Sequence, residues 1–334
     1  MLRLLWTIVF LGILWCGWWA VATLAAERAL ERALQSQQPD GPRVKIGRIL
    51  TAGFPATMDL KMVDLDLTDE DSGVAVAMDS LTLSAPTYWP GYLTARLPRT
   101  PIEVSAPMGQ GTAQFADGSA GIRLQPGIDL ELQGLTAAAA AWQVSLPDGP
   151  LLTAQDLRLV VDREDATPAG YTFEASVRDL VPGVLVRDSL ALPDSWPRAF
   201  SALTARGGVA FDRPLDRGAL YGPPPQPRRL TITDLALVWG DIDLRGSGDL
   251  QINAVGIPEG SITLIARNWP VLLRLAMDAG MVPPGMDVQA RSILQALASM
   301  RGDPETLDIE LSFDEGQMSL GPIRLGPAPR LAFR

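Results

Sequence analysis

Residues 57–84 read TMDLKMVDLDLTDEDSGVAVAMDSLTLS, with apolar side chains at every second position. Met58, Leu60 and Met62 form one trio and Val63, Leu65 and Leu67 a second, so the phase slips between Met62 and Val63. Successive side chains of a strand point to opposite faces, and each trio therefore makes one apolar face. A slip in that phase marks a β-bulge or a strand break. Asp69-Glu70-Asp71-Ser72-Gly73 is a turn by composition, and Val74, Val76 and Met78, then Leu81 and Leu83, supply the return strand. The stretch predicts a hairpin of two long, interrupted strands.

The same alternation fills most of the chain. Upstream, Val44, Ile46 and Ile49 lead into Gly53-Phe54-Pro55, a turn or kink. Downstream, strand patterns over 102–106, 122–124, 128–132, 142–146, 157–161 and 171–177 are separated by Asp117-Gly118, Gln125-Pro126-Gly127, Pro147-Asp148-Gly149-Pro150 and Thr167-Pro168-Ala169-Gly170. Such spacing predicts an antiparallel meander and argues against βαβ units. Residues 194–204 (DSWPRAFSALT) suggest a short helix capped by Asp194 or Ser195. The Pro-rich run 221–229 is a candidate seam between halves. Strand patterns return at 230–239, 242–244, 250–252 and 262–266, then at 307–313 and 318–320. Between them, Trp269–Ala279 opens with Pro270 and stops at Gly280, and Asp287–Met300 sets Val288, Ile293, Leu294, Leu297 and Met300 near one face. Both are helix signatures.

At the start of the chain, Leu4–Ala26 is apolar and uncharged, long enough as a helix to cross a hydrocarbon core of roughly 30 Å. Trp6, Trp15, Trp18 and Trp19, and a poor match of Leu24-Ala25-Ala26 to a cleavage site, favour a retained anchor over a removed signal peptide. Trp15 directly before Cys16 does not suit a lipid-modified cysteine. Arg3 precedes the span, while Glu27-Arg28 and Glu31-Arg32 balance after it, which places the start in the cytoplasm and the bulk beyond the membrane. Residues 1–37 are therefore expected to form an anchor and helical stem, and 38–334 a periplasmic β-rich domain.

Composition bounds the chemistry. The 334 residues are 47% hydrophobic with 31 Gly and 28 Pro, natural for many short-turned strands. A net charge of -10, with Lys45 and Lys61 the only lysines, leaves no basic surface for nucleic acid. Cys16 is the only cysteine and histidine is absent, which removes disulfides, thiolate metal sites and the commonest general base.

Gly53-Phe54-Pro55, Pro86 to Pro90, the block Gly246-Ser247-Gly248 … Gly256-Ile257-Pro258-Glu259-Gly260 before a helical pair, and the final Gly316 … Leu320-Gly321-Pro322 resemble the domain-of-unknown-function 2125 family of alphaproteobacterial envelope proteins. The likeness spans roughly residues 1 to 325. It implies a single-pass inner-membrane protein with a periplasmic β-rich domain. That family is in turn similar to AsmA-like proteins, whose long curved sheets form an apolar groove implicated in phospholipid movement. Neither resemblance brings catalytic residues.

Candidate chemistry is sparse. Asp64 with Asp66, and Asp241 with Asp243, lie two apart on predicted strands, a spacing able to bind Ca²⁺ or act as acid and base. As each pair alternates with apolar residues, the solvent face of an amphipathic strand accounts for it better. Gly246-Ser247-Gly248 lacks the third glycine and the following helix of a dinucleotide site, and predicts a turn or bulge. The expectation is an α+β fold, mainly antiparallel β, with a transmembrane helix, a large curved or sandwich-like sheet and a few helices near the C-terminal end. The function expected is non-enzymatic, without metal or cofactor: lipid binding or conduction at the bacterial inner membrane, or else an adaptor that recruits envelope proteins.

Overall fold

The computed structural model describes residues 43–332, apart from 70–71, 90, 108, 168, 190–195, 222, 279–284, 286, 301–302 and 322. The expected membrane span Leu4–Ala26 and its stem lie outside the described residues. Among the described residues no helix is long and apolar enough to cross a membrane. Seventeen strands and four helices are present there, and the strand pairs with a defined register are antiparallel. The chain divides into two compact units. One holds the residues up to Arg123 with Val144–Asp148, and the other holds Leu124–Gln143 with the residues from Gly149 on.

The first unit is built on the hairpin of β2 (Thr57–Asp69) and β3 (Val74–Pro86), flanked by β1 (Arg43–Ala52). The phase slip sits at Asp64, whose φ is +55°. Val63 opposite Ser80 and Leu65 opposite Met78 keep the register on either side. The left-handed residue turns the strand so that Met62 and Leu65, three apart, are both buried. Strand β3 then serves two partners, β4 (Tyr92–Arg96) near its end and β5 (Ile102–Ala106) near its start. Strands β6 (Gly109–Ala116) and β7 (Ser119–Leu124) pair with β5 and β4, and of β8 (Leu132–Leu146), which follows, the residues up to Gln143 belong to the second unit.

The second unit is the expected meander. Strands β9 (Gly149–Glu164), β10 (Gly170–Pro182), β11 (Phe200–Phe211), β12 (Pro227–Trp239), β13 (Ile242–Ile252), β14 (Pro258–Arg267), β15 (Thr306–Asp314), β16 (Gln317–Leu320) and β17 (Ile323–Pro327) each pair with the next. Helix α1 (Val184–Ser189) and the single turn α2 (Gly218–Tyr221) lie in connections. Helices α3 (Trp269–Asp278) and α4 (Asp287–Met300) form the expected pair between β14 and β15. Their core is Trp269, Leu273 and Ala298 against Ala266 and Leu307. Trp269 donates its indole N–H to the Pro304 carbonyl at 2.9 Å, so the buried ring leaves no orphan donor.

Four expectations are corrected. Residues 200–204, expected in a helix, begin β11, where Phe200 stacks on Trp239 at 4.5 Å; aromatic packing outweighs the local capping signal. Gly246-Ser247-Gly248 runs through the interior of β13 and is no turn. The bulge lies opposite, in β12, where the register shifts between Ile232 and Leu235. On α4 Leu294 packs as expected and is joined by Ala290 and Ala298, while Val288 and Ile293, expected on the same face, are exposed. Asp241 falls in the two-residue turn between β12 and β13, so it does not share a strand with Asp243. In the Pro-rich run Pro225 is fully buried, and the Gln226 N–H donates to Asp212 at 3.0 Å.

Candidate functional site

In the second unit, side chains fall into cross-strand rows with a uniform face. Val161, Phe173, Gly207, Ile232, Gly248, Ile262, Leu311 and Leu320 are successive partners from β9 to β16. The next row on that face is Leu159, Ala175, Ala205, Leu235, Gly246, Leu264 and Ile309. The β12 bulge keeps Ile232 and Leu235 on one side although they are three apart. The side chains of both rows that carry more than a hydrogen are half-buried.

The rows on either side hold the buried residues. One margin contains Tyr171, Leu250 and Phe313 in the row Tyr171–Val209–Leu230–Leu250–Gly260–Phe313. The other contains Ala266 and Leu307 in the row Val177–Leu203–Leu237–Leu244–Ala266–Leu307, covered at β13–β15 by α3 and α4. A half-buried apolar strip two residues wide thus runs between two rows that are buried only in part, at Tyr171, Leu250 and Phe313 on one side and at Ala266 and Leu307 on the other. Glycine is required in its floor: a Cβ at Gly207 would come 2.1 Å from the Thr231 carbonyl oxygen and 2.9 Å from the Phe173 ring.

The strip meets a charged side chain at one point. Arg163 on β9 continues the phase of Leu159 and Val161 and pairs with Tyr171. Its guanidinium donates to the Glu131 carboxylate and, at 3.3 Å, to the Gln125 amide oxygen, which also accepts the Gln133 amide at 3.0 Å. The Glu131 hydrogen bond raises the Arg163 pKa, so the group stays charged. Beside it, the Tyr171 hydroxyl accepts the Leu215 N–H at 3.1 Å.

The opposite face is polar. Arg206 bridges Glu174 at 2.9 Å and Asp234 at 3.7 Å, and Asp243 meets Arg245 at 3.2 Å and Arg267 at 3.7 Å. A groove of about 540 Å³ there is lined by Asp162, Glu174, Arg206 and Arg229 among others. Arg229, with the Thr231 hydroxyl, holds the Asp249 carboxyl below its ordinary value against the cost of desolvation. A carboxyl with a lowered folded pKa adds stability above its unfolded value, and that stability is lost as pH falls through the folded one. Asp249→Asn is expected to cost under about 1 kcal/mol at neutral pH, since the pair is exposed, and to remove part of the acid loss. Urea unfolding of both chains at pH 7 and pH 3 measures this.

Asp243 is therefore committed to ion pairs, and the Asp241 backbone carbonyl accepts the Asn268 side-chain amide at 2.8 Å. Asp64 and Asp66 are both exposed, with Asp66 opposite Lys45. Among the described residues no three Asp, Glu, His or Cys side chains gather as a metal would need. The model of a family described as an uncharacterized protein conserved in bacteria (DUF2125) matches residues 19–329. The chain belongs to that family. No curated protein matches this DUF2125 chain. The family match runs through both units and includes every residue of the strip and Arg163.

Arg163 and the continuity of the strip both escaped the sequence reading. The signal for Arg163 was there, since the alternation of Leu157, Leu159 and Val161 puts residue 163 on the apolar phase.

Proposed function

We propose that this DUF2125 protein is a non-enzymatic, membrane-anchored component of the bacterial envelope that holds lipid acyl chains on the half-buried strip. One observation carries the reading, the two continuous apolar rows left half-buried from β9 to β16. The backbone groups beneath them are consumed in the ladders of β9 to β16, so an occupant finds hydrocarbon contacts and no spare hydrogen bonds. That suits a methylene chain and not a peptide, whose own amides would go unpaired. Eight strands at about 4.8 Å spacing give a row roughly 34 Å long. One lipid tail reaches across half of a hydrocarbon core of about 30 Å, so the row accommodates it with room to spare. The apolar run Leu4–Ala26 and its charge bias support an inner-membrane anchor with the bulk in the periplasm, and the resemblance to AsmA-like proteins supports a role in envelope lipid homeostasis.

Photocrosslinking in living bacteria tests this. Benzoylphenylalanine replacing Leu264 is expected to capture phospholipid, and the same residue replacing Thr263, on the polar face, is expected to capture none. Capture of one defined protein at Leu264 in place of lipid would replace this reading with the adaptor role.

A further inference from the structure

We infer that Arg163 is the anchoring cation for the phosphate group of a lipid whose tail lies along the strip, an assignment that rests on the acyl-chain reading above. In the four apolar rows Arg163 is the one charged side chain. A guanidinium on an apolar face loses hydration, and shifting it by one position would return it to the polar face with Asp162 and Glu164. Its side chain is 23% exposed, so it is sheltered yet reachable. It stands two residues from Val161, at the β9 end of the strip, where a tail running from strand to strand brings its head group. Its present partners are the Glu131 carboxylate, itself 29% exposed, and the neutral Gln125 amide oxygen, so one carboxylate supplies its ion pair. A phosphate presents the same charge with more acceptor oxygens in a geometry that a planar guanidinium matches in bidentate fashion. The exchange displaces Glu131 into solvent without breaking a covalent bond.

The test uses the purified full chain in neutral detergent with two lipids that carry a photoactivatable group in the tail. One is a phosphatidylglycerol and the other a diacylglycerol without phosphate. Peptide mapping reads the fraction of chain labelled on the strip. Wild type is expected to take both lipids. Arg163→Ala is expected to lower phosphatidylglycerol labelling by at least about tenfold and to leave diacylglycerol labelling unchanged. Glu131→Gln removes the competing carboxylate and is expected to raise phosphatidylglycerol labelling, an opposite sign that loss of folding does not produce. Unchanged phosphatidylglycerol labelling in Arg163→Ala, or an equal fall for both lipids, overturns the head-group assignment and leaves the acyl-chain reading standing. Binding of inorganic phosphate that is lost in Arg163→Ala, with phosphatidylglycerol labelling unchanged in that variant, would reassign Arg163 to free phosphate and overturn the lipid form. Labelling of wild type by neither lipid overturns the acyl-chain reading itself.

Discussion

Leu264→Asp is expected to leave the second unit folded and to empty it of lipid, whereas Ala266→Asp, two residues along the same strand, is expected to unfold the helical cap. Both positions face the same side of β14. Leu264 is half-buried in the open strip, so a carboxylate there keeps much of its water. Its cost to folding is the lost apolar burial, about 1–2 kcal/mol. Against a bound acyl chain the same carboxylate is desolvated without a partner, a penalty of several kcal/mol, or more than about a hundredfold in affinity. Ala266 is 3% exposed beneath Trp269, Leu273 and Leu307. A carboxylate there has no water and no counter-ion, and several kcal/mol exceeds what α3 and α4 gain by docking. Urea unfolding followed by far-ultraviolet circular dichroism, together with mass spectrometry of extracted lipid, separates the two. Equal loss of stability at both positions would mean that the strip is closed core, and the lipid reading would fall with it.

The contrast between those neighbours shows what alternation alone conveys. Period two assigned β2, β3 and the meander correctly because each strand needs one apolar face whether or not another layer covers it. It could not separate Leu264 from Ala266, since the difference lies in what the helices reach. The phase slip at Met62-Val63 was legible as an irregularity, and the spacing of Ile232 and Leu235 carried an equivalent one. At Asp64 the cause is a left-handed residue without change of register, and at Thr233-Asp234 it is an extra residue opposite Ser247. These different backbone devices leave the same trace in the sequence. On helix α4 the expected contact of Leu294 is present, but it is shared with Ala290 and Ala298, which carry little hydrophobic signal, while the stronger Val288 and Ile293 are exposed.

Tyr171 is the position where loss of packing should be largest. It is fully buried, meets Phe211 edge-on at 5.9 Å, and accepts the Leu215 N–H at 3.1 Å. Tyr171→Ala is expected to cost about 3–5 kcal/mol, the range for deleting a buried aromatic ring. Tyr171→Phe keeps the ring and strands only the Leu215 N–H, so about 1–2 kcal/mol is expected. Alkali distinguishes them further. Burial raises the Tyr171 pKa above its ordinary value, with the Leu215 hydrogen bond and nearby Arg163 opposing that rise. As pH climbs past about 10 the unfolded chain sheds this proton while the folded chain keeps it, so wild-type stability falls towards the folded pKa. Tyr171→Phe lacks the proton, and its stability relative to wild type should therefore improve between pH 9 and pH 11, as measured by urea unfolding (the pH values bracket the ordinary tyrosine range of about 10). A constant difference across that range would place the hydroxyl in water and remove Tyr171 from the margin that shelters Arg163.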